Sequence, residues 1–481
     1  MEKIITENNI KHECIIALAK KCQASNTSKG MVSASRLCCR FAGSIPSKFS
    51  PDVAKILNDN SAHKSTLVRK DTAIALREIL IESGPYEFVA INNLKKMIKD
   101  PQDTVKVMAI ESLCSRQHSR NYFMSSIFNM LLSCIDQKSW RTRFVIVKQM
   151  PDILGSVDPK SRRQISGFFF KAINDTELEV SIKALEVSRF LPTLIDADEI
   201  NEKLLPEFQK ALLNENYEIR KALAGSIPYF AGHFSKYNEH SNVIKTMIWQ
   251  MFKDENAEVR VTLFSNLEPY LKAQSVQNTL SNFTATLQEL LNDKAWKVRL
   301  DAVKVLEMLI TKFPEEVAND DKIIKSLNEK LSDKVSVVRK ATILTIKSIC
   351  GTLGLAWSER HGINLFHSFF NSLNYLYRLN FLYGIAEICK SISLQSLIKE
   401  IDFVTKLGKD PVPNVRIHAL ITMLRIAQRV EEKSIQDKVK RMAEELSNDS
   451  DSEVQKMASK MGSVSAWKAL AEQFGTLTIT V

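Results

Sequence analysis

Eleven positions of this chain fall on a nearly constant period: Arg69, Lys106, Arg143, Ser181, Arg220, Arg260, Arg299, Arg339, Arg378, Arg416 and Gln455. The steps between them are 37, 37, 38, 39, 40, 39, 40, 39, 38 and 39 residues. Each stands in a similar context, well represented by Asp293-Lys294-Ala295-Trp296-Lys297-Val298-Arg299, in which an aspartate six residues ahead opens a polar turn and an apolar run follows. Such a period constrains the fold more than any other property of the sequence. A unit of this size cannot bury its own apolar face and must stack on its neighbours, giving a quasi-one-dimensional array in place of separate globular domains. A degenerate further copy, Val32-Ser33-Ala34-Ser35-Arg36-Leu37-Cys38-Cys39, lies 33 residues ahead of Arg69 and makes twelve register points.

Within a unit the apolar residues follow helical spacing. Val298, Leu300, Ala302, Val303, Leu306, Leu309 and Ile310 recur in steps of three and four, which places them on one face of a helix. The second half of the unit repeats the pattern, as in Ile323, Ile324, Leu327 and Leu331, or Leu204, Leu205, Phe208 and Leu212. Each period therefore predicts two antiparallel helices joined by short turns, and the chain as a whole an all-α superhelix. The expected organisation is an N-terminal helix or partial repeat over 1–30, a repeat array over 31–460, and a tail over 461–481. In that tail Trp467, Leu470, Ala471 and Phe474 predict a short helix capping the last repeat.

The turn residues suit helix starts. Polar groups ahead of each first helix can cap its orphan N–H groups, negative charge there suits the helix dipole, and Pro411 and Pro413 are tolerated where no N–H donor is needed. The register arginine is expected to reach the aspartate of the neighbouring unit, forming a ladder of exposed pairs that each contribute little stability.

The net charge of +11 leaves room for an acidic partner and equally for spread, solvated lysines. The eight cysteines include no C-x-x-C and no cysteine-histidine cluster at zinc spacing, so they read as small buried hydrophobes of a reducing compartment, without a metal. The first residues carry no apolar h-region, and no apolar run approaches the ~20 residues a membrane helix needs, so a cytoplasmic protein with access to the nucleus is expected. Neither a Gly-rich phosphate loop nor an H-E-x-x-H is present, and the eight histidines are scattered. No enzyme activity, small-molecule substrate or cofactor is expected.

Three positions before the register residue, at the tip of each turn, stand Trp140, Tyr217, Trp296 and Tyr375 among smaller residues. A solvated turn has no need of a large ring, and exposed aromatics are common interface anchors. The competing possibility is that each ring folds back onto its own turn.

Two-helix units of about 39 residues with an Asp-x-x-x-x-Val-Arg turn resemble HEAT repeats. The turns Lys138-Ser139-Trp140-Arg141-Thr142-Arg143, Asp293 to Leu300, Asn374-Tyr375-Leu376-Tyr377-Arg378 and Asp410-Pro411-Val412-Pro413-Asn414-Val415-Arg416 narrow this. In that order they resemble successive turns of the scaffold (A, or PR65) subunits of protein phosphatase 2A, over about Val32 to Ser459. The resemblance implies a non-enzymatic horseshoe with a phosphatase catalytic subunit on its later repeats and an exchangeable regulatory B-type subunit on earlier ones. By that resemblance Lys294, Trp296, Lys297, Val335, Ser336, Asn374, Tyr375, Val412 and Pro413 would contact the catalytic subunit. Ser139, Trp140 and Tyr217 would face the regulatory subunit. This chain has fewer countable repeats than that family, and it is basic where the known scaffolds are acidic. A transport receptor of the importin-β kind and a nucleic-acid-associated HEAT protein are the alternatives, although no concentrated Lys/Arg stripe favours nucleic acid.

Overall fold

The computed structural model describes residues 12–45, 47–82, 86–114, 139–231, 238–273, 286–312, 314, 321–430 and 432–460. Every regular element among these residues is helical. The tail helix expected around Trp467 lies outside them. Two compact units divide after Ile248.

In the first unit His12–Ala24 packs on Ser28–Arg40, and hairpins follow: Ser28–Arg40 with Ser50–Ser61 and Thr66–Glu82 with Glu87–Met97; further on, Leu205–Leu212 packs on Tyr217–Ala224. The first helices of successive hairpins lie side by side, from Ser28–Arg40 through Thr66–Glu82, Asp103–Cys114, Trp140–Lys148 and Leu178–Ser188 to Tyr217–Ala224. Small polar residues pin that seam: Ser35 Oγ lies 3.0 Å from Thr72 Oγ1, and Ser112 Oγ donates to the Ala73 carbonyl at 2.9 Å. A short hydroxyl lets two helices approach while its polar atom stays satisfied.

The second unit contains Ala257–Ser265, then Trp296–Lys312 with Asp321–Leu331, Ser336–Trp357 with Ile363–His367, Tyr375–Ile388 with Leu394–Leu407, and Pro413–Arg429 with Lys433–Leu446, ending in Ser452–Ser459. The apolar residues singled out after Arg299 are all buried, as are Ile323, Leu327 and Leu331. The stack therefore buries the faces that the periodicity marks.

Proline decides which first helices are continuous. Pro151, Pro192, Pro228 and Pro269 follow the register residue by 8 to 11 positions, and there the helices Trp140–Lys148, Leu178–Ser188, Tyr217–Ala224 and Ala257–Ser265 stop and restart as short segments. Trp296–Lys312 and Pro413–Arg429 have no interior proline and run 17 residues each. By length and composition the segment Ser336–His367 could cross a membrane, yet it is not one straight helix. Gly354, at φ +73°, reverses the chain, and Ser358 Oγ caps the Gly354 carbonyl at 2.8 Å.

Gly384 marks a close approach. A Cβ there would lie 2.2 Å from the ring of Phe366, which is fully buried. Alanine gains about 1 kcal/mol in helix propensity, but forcing that ring aside costs about 1–3 kcal/mol. Gly384→Ala is expected to lower the thermal midpoint of the second unit; an increase would show that Phe366 has room to move.

Five of the described cysteines, Cys38, Cys39, Cys114, Cys350 and Cys389, are buried and free. Burial pushes the Cys38 and Cys114 thiols up to about 12 and Cys350 to about 11, so they stay protonated and inert. Among the described residues no group of three His, Cys, Asp or Glu side chains could hold a metal ion.

Candidate protein-binding ridge

Each turn is built by three sets of hydrogen bonds that the sequence dictates. The leading aspartate folds back on its own turn: Asp293 Oδ1 accepts from the Ala295 N–H at 2.7 Å, Asp333 Oδ1 from Val335 at 2.8 Å and Asp410 Oδ1 from Val412 at 2.9 Å. The register arginine then reaches back to the carbonyls that open its turn, as Arg299 Nη1 does to Asp293 O at 2.7 Å and Lys294 O at 3.1 Å. Its remaining edge points to the next unit. Arg299 Nε and Nη2 donate to Asp333 Oδ2 and Oδ1 at 2.6 and 2.9 Å.

The same fork joins Arg378 to Asp410 and Arg416 to Asp449 in the second unit, and Arg69 to Asp100 and Arg143 to Asp175 in the first. Arg260 reaches Asp293 through Nη2 at 2.8 Å. The ladder forms as expected, but its exposure does not. The six aspartates are 4–14% exposed and their arginines 10–15%. The pairs sit beneath the turns rather than on them, which replaces the expectation of small surface contributions. Arg299 and the Val335 N–H hold the Asp333 carboxyl below its ordinary range even though burial alone would raise it, and Asp175 is held down in the same way.

Where a side chain caps a first helix, it belongs to the residue directly before that helix; Val335 and Val412 stand at that position without a capping bond. Asn216, Asn256, Asn374 and Asp451 accept from N–H groups of the first turn, whereas the leading aspartate serves the turn and the ladder.

On this base the candidate contact residues are displayed unequally. In the second unit Lys294, Lys297 and Ser336 are exposed and Trp296, Val335, Val412 and Pro413 half-buried. The Lys297 ammonium lies 6.0 Å from the centre of the Trp296 ring. Asn374 and Tyr375 are exposed, the former with its side-chain oxygen committed to the Leu376 N–H at 3.0 Å. In the first unit Tyr217 is exposed, but Trp140 meets Phe144 edge-on with the Arg141 guanidinium 4.6 Å over its face. Ser139 Oγ donates to Asp103 Oδ2 at 2.6 Å. Trp140 and Ser139 thus have packing and bonding duties inside the stack.

Two apolar residues stand out that the aromatic criterion passed over. Leu373 is fully exposed and Leu376 is exposed beside Tyr375, so one turn presents three apolar side chains to solvent. Their signal is present in the sequence as Leu373-Asn374-Tyr375-Leu376, a turn with leucine on both sides where the neighbouring turns carry Lys334 and Val337, or Pro411 and Asn414.

The fold of these paired helices is similar to that of known structures along almost the whole chain. A crystal structure of Kap121p superposes with a TM-score of 0.60 at 13% identity, covering 98% of this chain and 55% of that one. The fold is a HEAT-repeat solenoid. Yeast importin-β (Kap95p) gives a TM-score of 0.60 at 12% identity, with 95% and 62% covered. Kap121p bound to Ste12p gives 0.58 at 13%. At these identities the likeness is one of fold, and the chain spans a little over half the length of those proteins. A family model for the sister chromatid cohesion protein PDS5 matches residues 152–351, less than half of the chain. No curated protein matches.

Proposed function

We propose that this HEAT solenoid is a non-catalytic adaptor that holds other proteins against the turns of its repeats, foremost those of its second unit. The observation that carries this is the apolar turn Leu373, Tyr375 and Leu376, exposed on a backbone fixed by Arg378 and Asp410 beneath it. A rigid turn presenting apolar side chains loses little conformational entropy on binding, which is what an interface anchor requires.

The turn sequences favour, as the specific form of this adaptor, the scaffold of a protein phosphatase 2A-type holoenzyme. In that form Lys294, Trp296, Lys297, Val335, Ser336, Asn374, Tyr375, Val412 and Pro413 meet the catalytic subunit. Tyr217, with Ser139 and Trp140, meets a regulatory B-type subunit. The scaffold does no chemistry. Holding two subunits on one chain raises the effective concentration of each near the other, so substrates chosen by one meet the active site of the other. Replacing Trp296 and Tyr375 together by alanine is expected to weaken binding of the catalytic subunit at least ~30-fold, since an anchoring aromatic contributes about 2 kcal/mol or more. Co-purification with the tagged full chain measures it; retention equal to wild type would remove these residues from the interface.

A second reading, a transport receptor, is favoured by the similarity to Kap121p and Kap95p along the chain. It predicts binding of a Ran-type GTPase in its GTP form, which the phosphatase scaffold does not. A chromatin-associated role, to which the PDS5 match lends support, predicts affinity for duplex DNA that falls steeply as salt rises.

A further inference from the structure

Of the eight register arginines, Arg339 alone is followed by a turn that does not open on an aspartate. Arg339 occupies the register position of its turn and makes the usual bonds to its own carbonyls, Nη1 to Asp333 O at 2.8 Å and to Lys334 O at 3.3 Å. Its side of the fork should meet the leading residue of the next turn, which is Ser372. That Ser372 stands at the aspartate position follows from its bonds. Arg378 Nη1 donates to the Ser372 carbonyl at 2.7 Å, as Arg299 does to Asp293, and the Asn374 N–H donates to Ser372 Oγ at 3.3 Å, as Val335 does to Asp333. Among the described residues no carboxylate comes within ion-pair distance of Arg339. It is 8% exposed, and its Nε is buried with no hydrogen-bond partner.

The chain itself shows what happens when a rung is dispensed with. Asn214 replaces the aspartate of another turn, and the register residue of the preceding unit is Ser181, so cation and acid are both gone. At Ser372 the acid is gone and the cation remains, although a buried guanidinium without an anion is costly. A serine oxygen at the aspartate position is where a phosphate can be added. Ser372 is half-buried, next to the fully exposed Leu373, so its hydroxyl is within reach of an enzyme acting on the turn.

We propose that Ser372 is a phosphorylation site and that its phosphoryl group supplies the missing rung to Arg339. A protein kinase would transfer the γ-phosphoryl group of a nucleoside triphosphate. The bond from γ-phosphorus to the bridging oxygen breaks, a bond to Ser372 Oγ forms, the hydroxyl proton passes to the kinase's base, and the nucleoside diphosphate leaves with the electron pair. The product carries about −1.5 to −2 charge and three acceptor oxygens, which match the Nε and Nη2 edge of Arg339 as the aspartates match theirs. The modification would lock the turn that presents Tyr375, whichever protein that turn receives.

The test compares the full chain with serine, phosphoserine or aspartate at position 372, in wild-type and Arg339→Gln backgrounds. Phosphoserine is expected to raise the thermal midpoint of the second unit by about 3–6 °C, and Ser372→Asp to raise it in the same direction. Both gains should vanish with Arg339→Gln and be reduced with Arg339→Lys, which keeps the charge without the fork. No gain from phosphoserine, or an equal gain without Arg339, would overturn the proposed rung. Mass spectrometry of the protein from its own cells, isolated with phosphatases inhibited, reads the tryptic peptide 361–378. A phosphate on Ser372 supports the assignment, and a peptide found only unmodified, or modified only at Ser368, overturns it.

Discussion

Replacing Glu387 by alanine is expected to destabilise the second unit by about 3–5 kcal/mol, more than the loss of any one arginine of the turn ladder. Glu387 lies in the helix Tyr375–Ile388 with its side chain fully buried. Its Oε2 accepts from Lys347 Nζ at 2.6 Å, and Arg429 Nη2 lies 3.2 Å away. The three residues come from the first helices of three consecutive hairpins, so one carboxylate ties Ser336–Trp357, Tyr375–Ile388 and Pro413–Arg429 together. Burial opposes its ionisation, yet Lys347 and Arg429 hold its pKa below the ordinary value. Arg425 is also buried beside it; burial lowers its pKa, and the Glu387 carboxylate opposes that shift. Removing the carboxylate leaves Arg425 and Arg429 facing one another in a poorly solvated seam, whereas Lys347, 40% exposed, can turn to water. Glu387→Gln keeps the shape but removes the charge and turns one acceptor oxygen into a donor, so it should retain most of the cost. Denaturant unfolding monitored by hydrogen exchange over residues 336–429 measures the loss; a glutamine that cost little while alanine cost the full amount would assign it to packing.

The second large effect is expected within the ladder itself, at Arg299. Arg299→Ala removes the fork on Asp333 and two carbonyl bonds within its own turn, leaving a 4% exposed carboxylate without its cation. The expected cost is about 3 kcal/mol, against about 0–1 kcal/mol for an exposed pair. Arg299→Lys should recover little, because an ammonium cannot span both oxygens. The same pairs fix the acid response. Because Asp175, Asp333 and Asp449 titrate below their unfolded value of about 3.9, the ladder's contribution is fully present above about pH 4 and is lost as pH falls through their folded values. Thermal midpoints are therefore expected to be level from neutral pH to about 4 and to drop below it, less steeply in Arg299→Ala. A midpoint that rose on acidification would contradict the assignment.

The paired helices, their buried faces and the partners of the ladder were legible in the sequence, because period 3.6 within a unit and about 39 between units leave few other ways to bury Val298, Leu306 or Leu309. The broken first helices were equally visible in Pro151, Pro192, Pro228 and Pro269, once each is placed against its register residue. Burial of the ladder was not legible. Arginine and aspartate read as surface residues, and only the stacking of one turn on the next covers them. Glu387 looked like an incidental charge in an apolar run; its partners Lys347 and Arg429 lie 40 and 42 positions away, one period on either side. At the ridge, aromaticity pointed to Tyr217 and Tyr375 but also to Trp140, whose Phe144 and Arg141 neighbours occupy both its edge and its face. Leu373 was passed over because a leucine in a helical protein reads as core.

The adaptor function is decided by a binding titration of the purified full chain against a purified Ser/Thr phosphatase catalytic subunit and, separately, a Ran-type GTPase in its GTP form. Saturable binding of the catalytic subunit is expected, weakened at least ~30-fold when Trp296 and Tyr375 are both alanine, in a variant that unfolds at the wild-type temperature. Binding of the GTPase alone would establish the transport reading instead. Binding of neither protein, or binding of the catalytic subunit untouched by the turn substitutions, would contradict the claim that this ridge is where the phosphatase is held.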